Sequence, residues 1–136
     1  MVVVDDRAEV ASNQHYPDAM SIHVGDIADE CSKLRFAPES TYVVIATRGH
    51  KCDEAALYHL IQKNPKYIGV IGSRNKVAVM MENLRQRGIP QEKLDAVYSP
   101  IGIALGGGQP AEVALSIISE ILLVRNEGTL AHMKSR

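Results

Sequence analysis

A chain of 136 residues with 46% apolar and 23% charged residues has the make-up of one folded domain, which excludes a disordered or fibrous protein. Fifteen Lys and Arg against sixteen Asp and Glu leave a formal net charge of -1, and 4% aromatics with no Trp leave few surfaces for stacking, so no nucleic-acid partner is expected. No apolar run approaches the roughly 20 residues of a membrane span, and Met1 opens onto VVVDDR instead of a signal peptide, so the expectation is a cytoplasmic protein with no membrane contact.

Val2, Val3 and Val4 form a β-branched run that stops at Asp5, Asp6 and Arg7, the pattern of a buried strand ended by charge. A short helix is expected from Ala8 to Gln14, before the Pro17-Asp18 turn signal. Ser21 to Val24 reads as a weak strand. Gly25-Asp26 then opens a helix in which Ile27, Cys31 and Leu34 share one face. The clearest strand, YVVIAT from Tyr42 to Thr47, runs into the polar cluster Arg48-Gly49-His50-Lys51 and a helix carrying Ala56, Leu57, Leu60 and Ile61. YIGVI from Tyr67 to Ile71 is the next strand, and Gly72-Ser73 turns directly into a helix through Val77, Met80, Met81 and Leu84 that Gly88 and Pro90 end. A short helix over Gln91 to Leu94, a brief strand at Ala96 to Tyr98 and the loop Ser99-Pro100-Ile101-Gly102 follow. The last helix begins at Pro110 and sets Val113, Ile117, Ile121 and Val124 on one face, and the chain closes on a polar tail.

Short apolar strands alternating with amphipathic helices are the signature of βαβ units, so the fold class is α/β with a doubly wound, Rossmann-like parallel sheet. Residues 1–128 make this domain and 129–136 the tail, with no repeat or linker to divide it. Cys31 and Cys52 stand far apart without a CxxC motif or zinc-finger spacing, which reads as two free thiols.

Ligands of open α/β sheets bind at the carboxyl ends of the strands. That rule gathers four loops: Asp5-Asp6-Arg7, Thr47 to Asp53, Gly72-Ser73-Arg74 and Ser99 to Gly102. Asp5 is either an acceptor for the two ribose hydroxyls of an adenosine, with Arg7 beside it, or a solvated strand end. Gly72, Ser73 and Arg74 combine backbone N–H groups at a helix start with a guanidinium, a cradle for phosphate, although Ser73 also suits an ordinary N-cap. His50 is placed for an acid–base role or a ligand contact, and no second metal ligand accompanies it. Cys52 beside Lys51 and His50 has neighbours that would favour a thiolate, or is simply a small buried residue at a helix start. The run Gly106-Gly107-Gly108 precedes a helix but follows no strong strand, so it reads as a connection and not as a dinucleotide turn. No nucleophile–base pair or hydride-accepting group stands out, and catalysis is not assigned.

The segments VVVDDR, TYVVIATRGHKCDEAAL, YIGVIGSRNKV and SPIGIALGGGQPAEVALSIISEI, in this order and spacing, resemble the carboxyl-terminal Rossmann domain of the XdhC/CoxI family, accessory factors of xanthine dehydrogenase and related molybdenum hydroxylases. The resemblance runs from Val2 to about Arg125 and implies an accessory or chaperone role, with molybdenum cofactor (molybdopterin) or a nucleotide such as NAD(P) as ligand and a molybdenum hydroxylase as client. An NAD(P)-dependent oxidoreductase is the alternative. By position, Asp5, Asp6 and Arg7, then Thr47, Arg48, Gly49 and His50, then Gly72, Ser73 and Arg74, and finally Ser99, Pro100 and Gly102 match the family's loops. Three positions depart from the pattern. Cys52 falls where an aromatic is frequent, and Ala104 and Gln109 replace an expected Asp and Thr, so an acidic contact and a helix N-cap should be missing. In the family a separate domain and then a first strand with its glycine-rich turn precede VVVDDR. A sheet entered at its second strand should leave Val2–Val4 and Tyr42–Ala46 facing a gap, and such open edges favour a homo-oligomer.

Overall fold

The computed structural model describes Met1–Arg136. It contains strands β1 (Val2–Asp5), β2 (Ser21–Val24), β3 (Tyr42–Ile45) and β4 (Tyr67–Val70), interspersed with helices α1 (Ile27–Lys33), α2 (His50–Ile61), α3 (Arg74–Gln86), α4 (Gln91–Asp95) and α5 (Pro110–Asn126). Pairing is parallel throughout, β1 with β2 from Val2–Ser21 to Asp5–Val24 and β3 with β4 from Tyr42–Tyr67 to Ile45–Val70. β1 and β3 do not pair, so the Rossmann-like sheet stands as two halves with the expected gap between them.

All four residues of β4 are buried, and their alternation shows why the sequence there is apolar without a break. Ile68 and Val70 point into the main core with Ala56, Leu57, Leu60 and Ile61 of α2 and Met80 and Leu84 of α3. On the opposite face of the strand, Tyr67 stacks on Tyr98 at 4.8 Å between ring centroids. Gly69 also belongs to that face, because a Cβ there would run into the Ile101 side chain and the Tyr67 hydroxyl. The main core lies under the sheet with α1 to α3, while α5 reaches the other face through Glu120, which accepts from the Tyr67 hydroxyl at 2.7 Å.

Local signals set most helix ends. The Asp26 carboxylate accepts from Asp29 N at 3.0 Å and starts α1, and the Ser73 hydroxyl accepts from Lys76 N at 3.3 Å and starts α3. Gln109, where no cap was expected, occupies the N-cap of α5, and the Glu112 side chain accepts from its backbone N–H at 3.3 Å. This is the glutamate half of a capping box, and the Gln109 side chain itself supplies no cap hydrogen bond.

Two expected elements are corrected. Ala8 to Gln14 forms successive turns and no helix, with only Ala11 buried, because a segment without an apolar face gains nothing from packing as a helix. Ala96 to Tyr98 contributes one bridge, Gly69 to Tyr98, instead of a strand. There Tyr98 N donates to Ile68 O at 2.9 Å and Val70 N to Tyr98 O at 3.0 Å, before the chain bends at Ser99.

Leu57 is wholly buried, whereas Leu115 on the outer side of α5 is 59% exposed. Leu57→Ala is expected to lower the unfolding free energy by about 2–5 kcal/mol in urea titration, and Leu115→Ala to change it by less than about 0.5 kcal/mol.

Candidate functional site

Since β1 is parallel to β2 and β3 to β4, the loops that follow the strands emerge on one edge wherever the two halves are held in line. One contact joins them there. Arg48, just after β3, donates from Nη2 to Asp6 Oδ2 just after β1, at 3.3 Å. The third loop, Gly72 to Arg74, continues directly from β4, and the fourth is tied to the end of β4 by Ser99 Oγ donating to Val70 O at 3.1 Å and Ile101 N to the same oxygen at 3.2 Å. The Ser99–Pro100 peptide is cis.

Asp5 is not a free acceptor. Its Oδ1 takes the Arg7 backbone N–H at 2.9 Å and Arg7 Nε at 3.1 Å, and its Oδ2 takes Arg7 Nη2 at 3.2 Å. The guanidinium across both oxygens holds the Asp5 carboxyl below the usual carboxylate range and raises Arg7 in turn. This fork rigidifies the turn after β1 and takes three of the carboxylate's roughly four lone-pair sites, leaving one on Oδ2.

The loop after β3 is organised by a residue outside the sequence-derived set. Asp53, buried in the first turn of α2, accepts the Thr47 backbone N–H at 2.9 Å and lies 2.7 Å from the Thr47 hydroxyl, which also reaches Gly49 O at 3.0 Å. Gly49 is the N-cap of α2 and offers no side-chain acceptor, so the first N–H groups of that helix face outward unpaired with any side chain. His50 and Lys51 are exposed beside them. At α3 the Ser73 hydroxyl serves as cap, and Arg74 is exposed with no side-chain hydrogen bond. Gly72 adopts φ 154°, so the chain turns from β4 into α3 within two residues.

Gly102 plays a different part from the one its loop suggested. Its N–H donates to Glu120 Oε1 at 3.0 Å, its φ is 97°, and a Cβ would strike the Ser116 side chain, so it seats α5 and does not face the open edge. Glu120 collects both the Gly102 N–H and the Tyr67 hydroxyl on one oxygen; burial first, and this carboxylate second, push the Tyr67 phenol far above its ordinary range. Asp53 carried a sequence signal, an acid six residues after a strand-terminal threonine. The Glu120 link crosses 53 residues and carried none.

The cysteines are free, and burial pushes the Cys31 thiol up to about 11 while Cys52 is partly exposed. No three His, Cys, Asp or Glu side chains cluster as metal ligands, and no helix is long and apolar enough to cross a membrane. A cleft of about 830 Å³ fills the space between β1 and β3, and Asp5, Asp6, Arg7, Thr47 and Arg48 line its carboxyl-terminal end.

Similarities to known proteins bear on this arrangement. Residues 1–121 match the family model of the XdhC Rossmann domain. The chain is 31% identical over 110 residues to the Escherichia coli uncharacterized protein YqeB, covering 81% of this chain and 20% of that protein. It is 26% identical over 125 residues to a probable xanthine dehydrogenase subunit of Bacillus subtilis, covering 92% of this chain and 36% of that protein. A crystal structure described as a xanthine dehydrogenase from Bacillus halodurans superposes with a TM-score of 0.78 at 30% identity, over 96% of this chain and 36% of that one. The chain thus spans between a fifth and about a third of the length of these relatives.

Two outcomes test the site geometry. Asp53→Ala leaves the Thr47 N–H without its acceptor, and a loss of about 1–3 kcal/mol is expected, with hydrogen exchange at Thr47 accelerated well beyond that at Leu57. Because the Asp5 carboxyl is lowered in the folded state, its contribution to stability is present above about pH 3.9, its unfolded value, and is lost as pH falls through the lower folded one. Carboxyl carbon NMR of Asp5 should show the depressed titration return toward the ordinary value in Arg7→Ala.

Proposed function

This chain belongs to the XdhC Rossmann-domain family, and on that premise we propose that it serves the maturation of a xanthine dehydrogenase-type molybdenum hydroxylase, as an accessory domain that binds molybdenum cofactor as cargo and meets the client enzyme. The observation that carries this reading is the family match across residues 1–121, with one relative and a structural neighbour bearing xanthine dehydrogenase names.

The carboxyl edge fits an anionic, phosphate-bearing ligand. Asp5 and Asp53 are turned onto backbone and guanidinium partners, the exposed Asp6 is paired with Arg48, and His50, Lys51 and Arg74 are exposed beside them. Two helix starts, of α2 and α3, add backbone N–H groups and the positive ends of their dipoles. When bound, molybdopterin would bring the ligand set for molybdenum. The residues' part in this reading is to hold its phosphate: Arg48 and Arg74 by charge-assisted hydrogen bonds, and the α2 start by its uncapped N–H groups. The NAD(P)-dependent reading asks Asp5 to accept a ribose diol, and Arg7 competes for both of its oxygens.

Fluorescence titration with molybdopterin and, in parallel, NAD(H) and NADP(H) tests the proposal. Molybdopterin is expected to bind, with a loss of about tenfold for Arg48→Ala or Arg74→Ala, the worth of one charge-assisted hydrogen bond. The reading fails if the nicotinamide nucleotides bind tightly and molybdopterin does not, or if both arginine variants leave molybdopterin binding unchanged. Co-purification of an apo-hydroxylase with the wild-type chain addresses the client contact separately.

A further inference from the structure

We infer that Asp6 is a tethered competitor at the carboxyl edge: it holds Arg48 in the absence of ligand and is displaced when an anionic ligand takes that guanidinium. The inference rests on the reading of this edge as a place for a phosphate-bearing ligand, and adds the residue that limits how tightly such a ligand is held.

The four loops contain three acids, and these differ in kind. Asp5 accepts the Arg7 backbone N–H and Asp53 that of Thr47, each at 2.9 Å, so their charges are committed to turns. Asp6 accepts from no backbone group. Its Oδ2 takes Arg48 Nη2 at 3.3 Å, and its Oδ1 lies 4.0 Å from Arg7 Nε, whose guanidinium Asp5 already holds through two nitrogens at 3.1 and 3.2 Å. Arg48 in turn has no other side-chain partner. The pair joins residues 42 apart in the chain with side chains 62% and 33% exposed, and no turn or helix cap is built on it.

That bond makes little use of a guanidinium. An arginine presents five donors in a planar fork, and Asp6 engages one of them at a long distance for a charge-assisted contact. A phosphate can take two donors of the same fork at about 2.7–2.9 Å, and as a monoester it carries close to two negative charges against one. It therefore displaces Asp6. Displacement has a cost, because the ion pair must break and the released carboxylate then stands beside the bound anion. A single contact at 3.3 Å orders the long Arg48 side chain only weakly, so this cost outweighs the benefit of holding the guanidinium in advance. The net effect of Asp6 is to weaken anion binding.

Inorganic pyrophosphate is the probe, with its dissociation constant read from backbone amide NMR shifts at Thr47, Gly49 and His50 of the full chain. Asp6→Asn keeps the size of the side chain and removes its charge, at an exposed position without a backbone partner. It is expected to bind pyrophosphate about fivefold more tightly than the wild type, about 1 kcal/mol, the upper worth of an exposed ion pair. In the Arg48→Ala background there is no pair to break, and the same substitution should gain less than about twofold or leave binding undetectable in both proteins. An equal gain in both backgrounds would reduce Asp6 to a nearby charge and overturn the inference. Unchanged or weaker binding in Asp6→Asn, or no binding of pyrophosphate by the wild type and Asp6→Asn alike, would overturn it as well. Molybdopterin, titrated in parallel, bears on the reading above and not on Asp6: if pyrophosphate behaves as expected and molybdopterin does not bind, the competitor stands and the cofactor reading falls.

Discussion

Two parallel strands that share no hydrogen bond, β1 and β3, must be held side by side by something other than a sheet, and the packing of α1 against α2 does this. Ile27 and Cys31 of α1 enter the same buried cluster as Ala56, Leu57 and Leu60 of α2, beneath the gap. The ion pair between the halves, Arg48 to Asp6, involves a guanidinium 62% exposed, and an ion pair that open to water contributes at most about 1 kcal/mol. Burial of several apolar side chains, each worth about 1.5–3 kcal/mol, outweighs it. The helices therefore set the spacing of the strands, and with it the placement of the loops that follow them.

Those loops share a device. Asp5, Asp53 and Glu120 each direct a carboxylate at a backbone N–H group, and each thereby fixes one segment: the turn after β1, the turn after β3, and the seat of α5. The acids are consumed as structure. At the carboxyl edge the exposed Asp6 pairs with Arg48, while His50, Lys51 and Arg74 stay exposed, in a chain whose formal net charge is -1.

Much of this was legible in the residues. YVVI and YIGV could only be strands, and the helices from His50 and Arg74 follow from a 3.6-residue apolar rhythm and, at Ser73, a cap. The segment Ala8 to Gln14 misled because its residues permit a helix, whereas packing decides whether one forms, and only Ala11 finds cover. Ala96 to Tyr98 misled in the opposite sense: its bonds to β4 are present, but the bend held by Ser99 on Val70 O limits the pairing to one residue. Among the candidate site residues, Asp6 and Arg48 meet, Ser73 caps α3, Gly102 donates to Glu120, and the partner of Asp5 depended on where Arg7 would lie. Propensity does not choose a rotamer.

By itself, then, the sequence determined the kind of fold, the order of strands and helices, the open position between Val2–Val4 and Tyr42–Ala46, and the family, since these rest on local periodicity and on motifs read in chain order. The tertiary structure alone decided which acids are free. The partners of Asp5, Asp53 and Glu120 are set by side-chain geometry, and for Glu120 by a contact across 53 residues. It also decided that the two half-sheets stay aligned across their gap, because that alignment comes from buried contact between α1 and α2, which only the folded chain brings together.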